Sequence, residues 1–482
     1  MPQDPENPAT EHPTPGRGRV LLVYGLLLLA AVGLFLLIRS YGETLPAPPP
    51  GSGKPRVRAP GARGDVLFHV LLALATVVAL GRVLGRVFAY LGQPPVIGEV
   101  IAGILLGPSL LGRIAPEVAQ YILPPDAAPY LGVIAQLGVL LYMFLVGLEL
   151  NGEMLRRRAH ATVVIAHTSI VVPFVLGAVL ALALYSRLAP GGVPFTSFAL
   201  FMGVAMAVTA FPVLARILTD RKISRTELGV VAMTCAAIDD VTAWCLLALV
   251  VSVAQAHADQ ALQIAGLTAV YIAFMFLAVR PVATRVAARY DRDDLPQGVV
   301  ALVLVALLLS CVTTELIGIH ALFGAFLLGA VIPHDSAIAR VFTHRLEDLV
   351  TVLLLPAFFA FTGMRTEIGL VSGPGEWLAC GLIILVATAG KFGGTLAAAR
   401  FTGLGWRTSA SLGVLMNTRG LMELIVLNIG LDLGVISPTL FAMMVLMALV
   451  TTIATTPVLH LLTPELRAVS AGQDAVERTR AG

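Results

Sequence analysis

The sequence predicts an all-α polytopic membrane protein. Of its 482 residues, 57% are hydrophobic and only 13% are charged, whereas a soluble domain carries about a quarter charged residues. Mean hydropathy is +0.88. Apolar segments of membrane-spanning length recur along the chain, separated by short connections. Lysines and arginines gather in alternate connections, which is the signature of a chain threaded back and forth through a bilayer.

In order, residues 1–18 are polar and rich in Pro and Glu, so they are expected to be disordered. Residues 19–41 contain an apolar run from Val20 to Ile38 with no clean small-x-small cleavage site after it. This predicts an uncleaved extra helix rather than a signal peptide. Residues 42–64 (LPAPPPGSGKPRVRAPGARG within them) read as an extended or flexible Pro-rich linker. The membrane body runs over 65–462. Thirteen apolar segments lie near 65–88, 94–112, 130–150, 161–186, 196–219, 227–254, 261–279, 297–313, 317–333, 347–364, 376–399, 408–430 and 436–462. Residues 463–482 read as a short polar tail, and no nucleotide-binding or other soluble regulatory domain is expected after the membrane body.

With the C-terminus in the cytoplasm, the cytoplasmic connections of the body collect seventeen lysines and arginines. The outer ones keep Arg113, Arg187 and Arg365. That ratio sets the orientation, against the minor misfit of Lys54, Arg56, Arg58 and Arg63 in a linker placed outside.

Asp239 and Asp240 sit side by side in the middle of the segment 227–254. One acid at the centre of a membrane helix costs roughly 2.5–3.5 kcal/mol on insertion scales. A pair points to a cation or proton site. Lys391 lies in ATAGKFGGTLAAA of the eleventh segment, and Arg419 and Glu423 lie four apart in the twelfth, on one helix face where they can pair. If they neutralise each other, two acids and one base remain, and a site with excess negative charge in low dielectric calls for a cation or a proton. The bland alternative is a static Asp–Lys bridge between helices, but that needs only one acid.

Two segments read as interrupted. Thr209 and Pro212 fall within AMAVTAFPVLARIL, and Asn417, Thr418, Arg419 and Gly420 fall within GVLMNTRGLMELI. Proline removes an amide donor and clashes with the preceding turn. Paired breaks in the two halves of a transporter expose carbonyls and helix ends near the bilayer midplane, where an ion can bind. Glu99, Glu315, His320, His69 and His167 are read as structural, with Glu99 the best placed to be an exception. Cys235, Cys245, Cys311 and Cys380 are read as small core residues without disulfides or metal-binding roles. No P-loop, serine elbow or HExxH is present. No cofactor, nucleotide or nucleic-acid partner is expected, and energy must come from an ion gradient.

The stretches PPVIGEVIAGILLGPSLLG, QLGVLLYMFLVGLEL, VTAFPVLARIL, AAIDDVTAW, GIHALFGAFLLGAVIP, LLLPAFFAFTGM, GKFGGT and NTRGLMELIVLNIG occur in this order. Together they resemble the second branch of the monovalent cation–proton antiporter superfamily, which includes bacterial sodium–proton and potassium–proton antiporters and plant cation–proton exchangers. The resemblance covers roughly 65–462. It implies an inverted-repeat fold of thirteen helices, with two crossed unwound helices, a core domain and a dimerisation domain; the helix at 19–41 is an addition. It also implies that Asp240 binds the monovalent cation, that Asp239 pairs with Lys391, and that Thr209 is the polar residue at the first break, helping Asp240.

The expected function is secondary exchange of protons for Na⁺ or Li⁺ by alternating access, electrogenic, in a homodimer embedded in lipid in a bacterial inner membrane. The alternatives are an electroneutral K⁺/H⁺ antiporter and a cation channel. An intramembrane aspartyl protease would need its aspartates on different helices with a GxGD-type motif, which is absent.

Overall fold

The computed structural model describes residues 17–45, 66–149, 159–220, 223, 226–255, 258–290 and 295–462. The described residues are helical throughout, with short turns and no strand. Most of the expected disordered N-terminus and linker, and the whole tail, lie outside them, as do Arg156, Arg157 and Arg158.

The first helix, α1, spans Arg17–Gly42. Then come α2 Val66–Tyr90, α3 Pro95–Leu106, the short α4 Leu111–Ile114 and α5 Pro116–Ile122, and α6 Ala128–Glu149. Next are α7 Ala159–Leu188, α8 Phe195–Ala207, α9 Phe211–Asp220 and α10 Glu227–Gln255. Helices α11 Ala258–Phe274 and α12 Arg280–Arg289 are joined through a π turn at Met275–Val279. They are followed by α13 Gln297–Ile317 and α14 Ala321–Val331. A second π turn, Val350–Leu354, joins α15 Ala337–Leu349 to α16 Leu355–Met364. The chain ends in α17 Pro374–Phe401, α18 Trp406–Met416, α19 Leu421–Asp432 and α20 Pro438–Leu462. Each π turn lies just ahead of a proline, Pro281 or Pro356, whose missing amide cannot close an ordinary helical turn.

Among the described residues, eleven helices are long and apolar enough to cross a membrane, or twelve if the bent pair α18–α19 counts as one span. The shorter α8 and α14 are apolar but fall below that length. The thirteen-plus-one expected from sequence counts these two as well.

The helices sort into two packed halves. One holds α7 to α10 with α17 to α20: α7 packs on α8, α10 and α17, and α20 on α17, α18 and α19. The other holds α2 to α6 with α11 to α16: α6 packs on α14 and α16, and α3 on α2 and α16. Glycines set the closest approaches. A Cβ at Gly147 of α6 would stand 2.3 Å from the Phe326 carbonyl oxygen of α14, so only glycine admits that contact, where packing replaces the hydrophobic drive absent in lipid.

The extra helix α1 docks on the first half, against α7 and α8. Phe35 meets Phe174 at 6.0 Å between ring centroids, and Glu43 accepts hydrogen bonds from Arg39 and Thr196. The cysteines are free; Cys235, Cys311 and Cys380 are buried, but Cys245 is exposed. The reading of all four as core residues is therefore corrected for Cys245. Its thiol is only weakly polar, so exposure on this apolar helix needs no hydrogen-bond partner.

Candidate ion site at the two helix breaks

Both interruptions expected from sequence are present. Helix α8 stops at Ala207, where Val208 turns extended (φ −65°, ψ 138°), and α9 begins at Phe211. Pro212 explains the position. It is tolerated in the first turn of α9, but its ring would clash with the Val208 carbonyl if the helix ran straight through. Helix α18 stops at Met416 and α19 begins at Leu421, with a bend of 42°. Between them stand Asn417, Thr418, Arg419 and Gly420, where Asn, Thr and Gly are weak helix formers. The breaks meet: the Ala210 amide donates to the Thr418 carbonyl at 3.0 Å.

Helix α10 carries Asp239 and Asp240 past this junction, both buried. Successive positions on a helix point about 100° apart, so the two carboxylates meet different neighbours. Asp239 is surrounded by donors. Lys391 Nζ donates to its Oδ2 at 2.9 Å, Ser169 Oγ at 2.8 Å and Thr209 Oγ1 at 2.9 Å. Asp240 is 4% exposed, yet neither of its carboxylate oxygens has a hydrogen-bond partner. The backbone amide of Phe211, first in α9, lies beside it short of a full hydrogen bond, so the acid faces the positive end of that helix.

Lys391 is placed by close packing. Gly390 and Gly394 flank it on α17, and a Cβ at Gly390 would come 2.9 Å from Pro173 Cα of α7, the helix that carries Ser169. Lys391 also donates to the Ala207 carbonyl at 2.5 Å. Arg419 donates to the carbonyls of Ala205 at 2.9 Å and Met206 at 2.8 Å. Two buried cations thus cap three consecutive carbonyls that the break leaves without helical partners. Arg419 and Glu423 form the expected i, i+4 pair at 2.9 Å, fully buried. Thr452 of α20 fixes the Arg419 backbone from both sides, accepting from its amide and donating to its carbonyl.

The constellation therefore holds three acids and two bases. Asp239 answers Lys391, Glu423 answers Arg419, and Asp240 is unmatched. Buried oxygens of Asn417 and Thr418 at the second break also lack hydrogen-bond partners.

All six sequence-predicted site residues come together around the two breaks. One pairing differs from expectation. The Thr209 hydroxyl, expected to assist Asp240, donates to Asp239 and approaches the Met416 carbonyl at 3.2 Å. Sequence reading missed Ser169, Thr452 and the carbonyls of 205–207. A serine within a long apolar helix carries no signal of its own, and which carbonyls are capped depends on the folded breaks.

The other polar residues have local settings. His69 meets the Tyr121 carbonyl, and His320 caps α14 by accepting from the Leu322 amide. Glu315 accepts from the Ala321 amide, and Glu99 is buried beside Gly81 of α2.

The family profile described as "Sodium/hydrogen exchanger, transmembrane" matches residues 72–463. The chain belongs to that family. It is an integral membrane cation/proton antiporter, a transporter and not an enzyme. It is 43% identical over 396 residues to the Na(+)/H(+) antiporter NhaS4 of Synechocystis, covering 82% of this chain and 97% of that protein. It is 39% identical to Cation/H(+) antiporter 20 of Arabidopsis thaliana, covering 85% of this chain, and 34% identical to K(+)/H(+) antiporter 1 of Saccharomyces cerevisiae, covering 78%. It spans about half the length of these two, 51% and 44%. Among solved structures, the sodium–proton antiporter MjNhaP1 of Methanocaldococcus jannaschii superposes with a TM-score of 0.58 at 16% identity. That match covers 83% of this chain and 99% of the archaeal one, and it bears out the antiporter fold.

Proposed function

We propose that this antiporter exchanges protons for Na⁺ or Li⁺ electrogenically, with Asp240 as the cation ligand. The observation that carries the reading is the buried Asp240 carboxylate without a hydrogen-bond partner, next to an Asp239 that has three. A buried charge without a partner is strongly unfavourable, so Asp240 holds either a proton or a cation. The two compete for one carboxylate, and that competition couples the fluxes. Asn417 and Thr418 supply further oxygens at the second break, while Thr209 and Ser169 keep Asp239 oriented. When the cation arrives, one proton leaves Asp240 and a second leaves the Asp239–Lys391 pair. The Arg419–Glu423 pair is a structural clamp on the broken ends. NhaS4 favours sodium by its name.

The second reading is electroneutral K⁺/H⁺ exchange, favoured by the similarity to the yeast K(+)/H(+) antiporter. The half containing α7 to α10 and α17 to α20 moves against the other half, which forms the frame of a homodimer. The membrane is a bacterial inner membrane with the C-terminus in the cytoplasm, as the arginine bias and the cyanobacterial relative support.

The test is proton flux in proteoliposomes with Na⁺, Li⁺ and K⁺ in turn, with and without a clamped membrane potential. Flux driven by Na⁺ or Li⁺ that responds to potential is expected. Flux driven only by K⁺ and indifferent to potential establishes the second reading instead.

A further inference from the structure

Four hydrogen-bonding side chains join the two halves at the end of the molecule that carries Arg365. On one side, α16 supplies Thr362 and ends at Arg365. On the other, α19 supplies Asn428 and Asp432. Arg365 donates to Asn428 Oδ1 at 3.0 Å and to Asp432 Oδ1 at 2.6 Å. Asn428 Nδ2 donates onward to Thr362 Oγ1 at 2.8 Å. The chain of bonds starts at the fully buried Thr362 and ends at the half-exposed Asp432. The Arg365 guanidinium stacks over Phe361 at 5.5 Å, which holds its fork in place.

Its position matters more than its strength. Helix α19 begins immediately after the second break, and Glu423, the partner of Arg419, lies on it. Between the halves, Val96, Ile97 and Val100 of α3 line one wall of a cleft, and Arg419, Leu424 and Thr452 line the other. The four-residue bridge closes the Arg365 end of this seam. At the opposite end, Gln93 Nε2 donates to the Ile453 carbonyl at 3.3 Å across the halves.

We propose that Thr362, Arg365, Asn428 and Asp432 form a gate latch that must part whenever the ion site opens toward the Arg365 face. The latch sets how long the site stays closed on that side. Its buried amide–hydroxyl bond gives it register, and its charged end lets water compete for Asp432 as the seam opens. The inference rests on the antiporter reading above, because only a site that alternates in access needs a seam that parts.

A direct readout is gate opening itself, without transport. With the four native cysteines replaced by alanine, Val100→Cys places a thiol in the seam, and a membrane-impermeant methanethiosulfonate reagent is added from the Arg365 face. Loss of a charge-assisted hydrogen bond shifts such an equilibrium by about tenfold. Asp432→Asn and Asn428→Ala are each expected to speed labelling by about that factor from this face only. The double exchange Arg365→Asp with Asp432→Arg is expected to bring the rate back toward that of the unaltered latch, which a merely structural role would not do. Labelling unchanged in both single variants overturns the latch. Labelling that rises equally from both faces also overturns it, because that is general loosening. Repeating the series with Asp240→Asn keeps the two ideas apart, since the latch response must survive there even if the assignment of the ion site fails.

Discussion

Two buried ion pairs sit at the two helix breaks, and they differ in one neighbour. Lys391–Asp239 and Arg419–Glu423 both have contacts of 2.9 Å, and both cations extend to carbonyls at the end of α8. Beside the first pair stands Asp240, without a partner. Beside the second no third charge of the constellation remains, and Thr452 closes both backbone groups of Arg419. Under the proposed function, the same architecture serves two ends: the neutralised pair holds a broken helix together, and the pair with an unmatched acid exchanges what it carries. A structural bridge needs one acid and one base, so the surplus acid is what separates work from support.

The comparison breaks most visibly at Asp240. Asp240→Asn keeps the shape and removes the charge, so exchange in proteoliposomes is expected to fall to background while the protein still inserts and elutes as the wild type does. Exchange at the wild-type rate would move the ion site elsewhere.

Arg419→Gln tests the supporting pair. It leaves Glu423 buried without its partner and strips two carbonyl caps, a loss of about 3–5 kcal/mol by analogy with other broken buried pairs. The expected outcome is a large drop in thermal stability in detergent. Lys391→Gln should differ, either losing activity or retaining exchange that no longer responds to membrane potential. If the two substitutions gave the same profile of stability and flux, the division of roles would be wrong.

Gly390→Ala sharpens the comparison from a distance. Its Cβ would meet Pro173 and push α17 from α7, and overpacking of this kind costs about 1–3 kcal/mol. Because Lys391 follows directly in sequence and Ser169 lies on α7, this variant should slow exchange as well as lower stability. An alanine at Gly381, where nothing lies within 4 Å, is the control.

Much of this was legible in the sequence because charge inside a bilayer is expensive. Asp239, Asp240, Lys391, Arg419 and Glu423 announced themselves by standing mid-span, and Pro212 and the Asn417–Gly420 stretch marked the breaks. The i, i+4 rule alone gave the Arg419–Glu423 pair. What stayed hidden depends on contacts between distant segments. Ser169 is one serine in an apolar helix, and nothing local directs its hydroxyl to Asp239. Thr209 stands at the first break, as its sequence position indicates, but that its hydroxyl bonds Asp239 was hidden, because two adjacent carboxylates on a helix cannot be told apart without knowing which way α10 is rotated. The bridge between Arg365 and Asp432 joins residues 67 positions apart, and in sequence Arg365 is only one of three arginines expected on the outer side.

The most direct measurement of the central claim counts protons released when cation is added to the purified protein in weakly buffered detergent solution. If Asp240 exchanges a proton for the cation and the Asp239–Lys391 pair yields another, Na⁺ or Li⁺ releases more than one proton per cation bound, and Asp240→Asn releases none. Cation binding without proton release in the wild type, or equal release from Asp240→Asn, would contradict the account.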